Sequence, residues 1–156
     1  MHGTVQTHEH ASHIRQGTLA RLYQSGSITI DQLAAGASIS HIHARITRDV
    51  TIGTMSMETR VDVSRNGDGA FYEKLGTVRA EVAYSRWRRE LQHPAAVLAI
   101  IVDDASLSTA ARTFRLRKAH MRPVLSDALD LWRDMIADAV DEIDEATLLA
   151  AQAGIL

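Results

Sequence analysis

"SLSTAARTFRLRKAHMRPVL", Ser106 to Leu125, is the stretch on which the reading of this chain turns. Its apolar residues fall at the spacing of two helices that meet at a tight turn. Ala110 and Ala111 are small enough to let the two helices approach, Phe114 and Leu116 flank the turn, and Met121 and Val124 are spaced to bury the inner face of the second helix. Ser106 or Ser108 can cap the first helix. The stretch carries five Arg or Lys and no carboxylate. This is the pattern of a helix-turn-helix, in which the N-terminal end of the second helix meets base edges and phosphates. Arg112, Arg115, Arg117, Lys118, His120 and Arg122 are therefore the candidate DNA-binding residues. Arginine and lysine there suit either bidentate guanine contacts or phosphate neutralisation.

Two residues stand against the pattern. Arg115 occupies the turn position usually given to glycine. Pro123 lacks the N–H that would bond to the carbonyl of Ala119, and its ring crowds that carbonyl, at a cost of roughly 3 kcal/mol in a helix interior. Two shapes stay open. In one the second helix runs through Pro123, and Arg117 to Arg122 form a reading surface. In the other a helix begins at Pro123 and "LRKAHMR" is a basic loop.

Charge outside the stretch sharpens the contrast. The 156-residue chain has a net charge of -2, but Asp127 to Glu145 holds eight carboxylates against the single Arg133. Outside that segment sixteen basic side chains stand against eleven acidic ones. Such a split suits an anionic partner on one surface and an acidic helix facing elsewhere. A second basic patch is expected at Arg86, Arg88 and Arg89, where Trp87 could stack on a nucleobase but reads better as a core residue.

The remaining sequence predicts a mainly α-helical fold. Hydrophobic content of 46% and charged content of 23% describe a globular protein with an ordinary core, and only 4% is aromatic. A flexible, histidine-rich tail is expected over 1–13 and a single helical domain over 14–156. Within that domain a short helix runs from about Ile14 to Gln24, with Leu19, Leu22 and Tyr23 inward. "TIDQ", Thr29 to Gln32, reads as a capping box for a helix reaching about Arg45. That helix is expected to bury Ile30, Leu33, Ala34, Ala37 and Ile42, with Gly36 permitting close packing. "TMSMETRVDV" alternates like a strand and "RNGDG" signals a turn, so 50–70 is expected to hold a short β-hairpin or a loop. A cationic helix follows over about 70–92, then "PAAVLAIIVDD" with Pro94 in the first turn of an apolar, central helix. The helix-turn-helix lies at about 106–125. A long amphipathic C-terminal helix spans about 124–152, its apolar stripe including Leu125, Leu129, Trp132, Ile136 and Val140.

Several classes are set aside. Cysteine is absent, which excludes disulfides and thiolate metal sites and fits a cytoplasmic location. The N-terminal segment lacks the pattern of a signal peptide, and the longest apolar run is too short for a membrane span. His8, Glu9, His10 and His13 could gather a metal ion, but incidental affinity of a tail is the plainer reading. His41 and His43 lie two apart in a predicted helix and point in different directions, so no metal site is expected. "NGDG" lacks the lysine of a phosphate loop. No catalytic residues and no cofactor are expected; the chain does not read as an enzyme.

The order "LARLYQSGSITIDQLAAG", a variable middle, "YSRWRREL" and "VLAIIVDDASLSTAARTFRLRKAHMRPVLSDALDLW" resembles a helix-turn-helix domain of unknown function common in alphaproteobacteria. Related domains occur in gene-transfer-agent activators and phage-type transcription regulators, where they resemble the promoter-reading end of a sigma factor. The family pattern places a proline about where Arg117 stands here, so Pro123 departs from it. What the resemblance implies is a DNA-binding transcription regulator with double-stranded DNA as ligand and RNA polymerase or another regulator as partner. Two other readings fit the residues: a protein-interaction module that does not bind DNA alone, and a small terminase-type packaging subunit. In either, the C-terminal helix would support a homo-oligomer or a partner contact.

Overall fold

The structure, a computed structural model, describes residues 17–55 and 68–154. Seven helices and no strand occur among the described residues: α1 (Thr18–Gln24), α2 (Ile30–Met55), α3 (Asp68–Glu90), α4 (Pro94–Ile101), α5 (Leu107–Thr113), α6 (Lys118–Glu142) and α7 (Glu145–Gln152). None is long and apolar enough to cross a membrane. The tail at 1–13, with His8, Glu9, His10 and His13, and the start of the first predicted helix lie outside the described residues.

The capping box at the start of α2 forms as its sequence requires. The Thr29 N–H donates to Gln32 Oε1 at 3.0 Å, and the Gln32 N–H donates to Thr29 Oγ1 at 3.2 Å. Gln32 then does more than cap. Its Nε2 donates to Ser126 Oγ at 2.8 Å and Asp130 Oδ1 at 3.0 Å, which ties the start of α2 to the third and fourth turns of α6. Gly36 lets α1 approach α2, for a Cβ there would stand 2.4 Å from Leu19 Cδ1. Asp104, with φ 58, accepts from the Thr18 backbone N–H through its carboxylate and from the Thr18 hydroxyl through its carbonyl. The α4–α5 loop thereby caps α1.

Helices α2, α3 and α6 pack together around Ile39, Ile42, Ala83, Trp87, Leu125, Leu129 and Trp132, with α4 and α5 closing one end. Trp87 is fully buried and its Nε1 donates to the Ala128 carbonyl at 2.7 Å, with the Trp132 ring edge-on at 6.0 Å. A buried indole needs a partner for its N–H, and a helix carbonyl supplies it.

The segment expected as a hairpin or loop is corrected where it is described. Residues 50–55 continue α2 and 68–70 begin α3; the stretch between them lies outside the described residues. The C-terminal helix is corrected at both ends: it starts at Lys118, not 124, and breaks at Ile143–Asp144 rather than reaching 152. Asp144 caps α7 by accepting from the Thr147 N–H at 2.7 Å. Tyr23, Ile30, Ala34, Ala37 and Val140, expected inward, are exposed. All belong to short or marginal arcs of helix whose apolar stripe is narrower than the count of apolar residues suggests.

Candidate nucleic-acid interface

Helix α5 is one of the shortest in the fold, and its two ends are fixed by local chemistry. Ser106 caps it, accepting from the Thr109 N–H at 3.1 Å. Ala110 and Ala111 are buried, so the backbone of α5 can lie close to α6. The exit is a left-handed turn of the Schellman kind: the Leu116 N–H reaches back to the Ala111 carbonyl at 2.8 Å and the Arg115 N–H to Arg112 at 3.4 Å. Arg115 supplies the required left-handed residue, with φ 56. Glycine is the usual occupant of that position because a Cβ is disfavoured there. The sequence anticipated the position; the structure adds that arginine adopts the strained conformation.

Helix α6 then begins at Lys118, with Arg117 as its extended N-cap and no side chain capping it. It continues through Pro123, so the helix does not begin at the proline and "LRKAHMR" is not a loop throughout. The carbonyl of Ala119 loses its helical donor, but Ala119 and Pro123 are both exposed and water can reach that carbonyl. Inward, Met121 and Leu125 are essentially inaccessible and seat the first two turns on the core.

Outward, Arg112, Arg115, Arg117, Lys118, His120 and Arg122 are all exposed. They occupy the last turn of α5, the turn itself, and the first turns of α6, and so share one end of the molecule. Among the described residues the ion pairs are Arg45–Glu81 and Arg86–Glu142, so no carboxylate neutralises this group. His93, the N-cap of α4, meets His120 edge-on with ring centroids 6.4 Å apart, which brings the start of α4 beside it.

The electrostatics of α6 are unusual for a helix. A helix N-terminus carries positive partial charge and favours anions, while its C-terminus favours cations. Here cations crowd the N-terminus, and Asp138, Asp141 and Glu142 occupy the C-terminal end. The C-terminal end is compensated by α3. Arg86 grips Glu142 with two hydrogen bonds of 2.6 and 2.9 Å, and Arg79 Nε donates to the Ile143 carbonyl at 2.7 Å. The Arg86 guanidinium holds the Glu142 carboxyl below its ordinary range. No such compensation is present at the N-terminal end among the described residues.

The second basic patch is divided. Arg88 and Arg89 are exposed at the end of α3, whereas Arg86 is engaged with Glu142. Trp87 is part of the core and offers no stacking face. His43 shares a 2.6 Å hydrogen bond with the Tyr84 hydroxyl, and His41 is exposed on another side of α2. No group of three metal-ligating side chains occurs among the described residues. Arg79 and the Asp144 cap were missed in the sequence. An Asp before "EATLLAAQ" is a readable cap signal, but nothing local marks which arginine will reach a carbonyl 64 residues away. No protein-family model, no curated protein and no solved structure matches the chain.

Proposed function

We propose that α5 and α6 form a helix-turn-helix that binds double-stranded DNA, with the N-terminal end of α6 directed at the duplex. One observation carries the reading: a helix N-terminus surrounded by six exposed cationic or titratable side chains, with no carboxylate paired to any of them among the described residues. Macrodipole and side chains add to one positive field, and phosphates are its natural complement. Arg117 and Lys118 would lie nearest the phosphates, with Arg112, Arg115, Arg122 and His120 around them, and Arg88 and Arg89 as an outlying contact. The resemblance of the sequence to phage-type and gene-transfer-agent regulators narrows this to a transcription regulator that works beside RNA polymerase.

Fluorescence anisotropy with a labelled 30-base-pair duplex between 50 and 200 mM salt tests the reading. With four to six phosphates neutralised, the logarithm of affinity should fall against the logarithm of salt with a slope of roughly −4 to −5. Arg117→Ala with Lys118→Ala should reduce that slope by about 2 and leave the circular dichroism spectrum unchanged. Absence of binding at 50 mM salt, or a double variant that binds like the parent, overturns the reading.

A second reading, a module that contacts protein rather than DNA, is favoured by Val140 and Leu149, which are 43% and 50% exposed at the other end of the molecule. Capture of RNA polymerase or another regulator from nuclease-treated lysate, combined with no duplex binding, would select it.

A further inference from the structure

Base-edge recognition by α6 depends on what its outermost ridge presents. Met121, Leu125, Ala128 and Trp132 are buried and mark the inward line of the helix. At about 3.6 residues per turn, the opposite line passes through Ala119, Pro123, Asp127, Asp130 and Asp134. All five are exposed. The ridge is thus apolar for its first two positions and anionic over the next three. Lys118 and Arg122 flank the apolar part on one side and His120 on the other.

We propose that the apolar tip formed by Ala119 and the Pro123 ring selects thymine, through contact with its C5-methyl group in the major groove; this rests on the DNA-binding reading above. Neither residue has a side-chain hydrogen-bonding group, so the tip itself cannot read a donor or acceptor pattern. Thymine is the base that offers an apolar group on its major-groove edge, and alanine is among the residues suited to it. The flanking cations hold the phosphates on either side of the groove. Asp127, one turn further along the ridge, repels phosphate and limits the depth of helix that can enter. Entry is therefore end-on, over one or two base pairs. Pro123 acquires a role here that its helix-breaking cost alone does not explain, since its ring extends the apolar tip by one turn beyond Ala119.

A duplex pool with twenty randomised base pairs, taken through rounds of binding and amplification, supplies the probe. Each thymine of the enriched duplex is then replaced singly by deoxyuridine, which removes only the methyl group. The expected result is one or two positions where the replacement weakens binding about four-fold, the worth of one buried methyl. Ala119→Ser, which places a hydroxyl at the tip, should bring the thymine-to-uracil ratio at one of those positions close to one. Arg117→Ala should weaken both duplexes alike. If the duplex is bound with the expected salt dependence yet no deoxyuridine changes affinity, the tip does not select thymine and the DNA-binding reading stands. Thymine selection by the tip is equally overturned if Ala119→Ser leaves the ratio intact. If no duplex is bound at low salt, both fail.

Discussion

The two ends of α6 are made of the same helix and treated in opposite ways. At its C-terminal end the unfavourable carboxylates and the free carbonyl are met by Arg86 and Arg79 from α3. At its N-terminal end an unfavourable concentration of cations is met by nothing among the described residues. Each charge at the wrong end of a helix is typically worth about 0.3–1 kcal/mol against stability. The fold removes that cost at one end and keeps it at the other. Local strain follows the same division, for the left-handed Arg115 and the mid-helix Pro123 both belong to the N-terminal end. Strain and uncompensated charge that the surrounding packing sustains are the features expected of a surface shaped by binding rather than by folding.

Three substitutions would break or sharpen this contrast. The largest effect is expected from Pro123→Ala, which restores the donor to the Ala119 carbonyl and should stabilise the protein by up to about 3 kcal/mol. Urea unfolding monitored by circular dichroism would measure it. A stability unchanged or lowered would show that the proline is accommodated without strain and would weaken the contrast. Arg115→Gly should come next. Relief of the left-handed conformation should raise stability by about 1 kcal/mol, while loss of one cation should reduce the salt slope of duplex binding by about 1. The two readouts move independently, so a gain in stability with no change in slope would remove Arg115 from the interface.

The smallest effect is expected at the other end. In the folded protein Arg86 holds the Glu142 carboxyl below its ordinary value and so favours its ionised form, and the stability contributed by this pair is present above the carboxyl's unfolded value. It is lost as pH falls below about 4.3 and through the depressed folded value. Arg86→Ala should flatten that part of the stability-versus-pH curve with little change near neutrality, because the pair is solvent-exposed. An unchanged acid limb would mean that α3 does not compensate the end of α6.

Much of this was legible in the chain itself. "TIDQ" encodes its own cap, Ser106 caps α5, Pro94 opens α4, and the alanine pair at 110–111 announces a close helix approach. Each of these signals lies within a few residues and draws on local backbone geometry. The candidate site was legible for the same reason, since its six residues fall within eleven consecutive positions of the chain. What escaped was long-range. That Gln32 would also hold Ser126 and Asp130, or that Arg86 would be taken from the second basic patch by Glu142, depends on which helices become neighbours.

Pro123 separates the two kinds of information most clearly. The sequence by itself determined a mainly helical chain, the one-sided charge of 112–122 and the acidic face that follows. It left open whether α6 starts before or after the proline, because local propensity disfavours a helix there. Tertiary structure decided that question. Burial of Met121 on the near side and Leu125 on the far side requires one continuous helix to bring both into the core. Removing those two side chains from water is worth about 1.5–3 kcal/mol each, enough to outweigh one missing hydrogen bond on an exposed face.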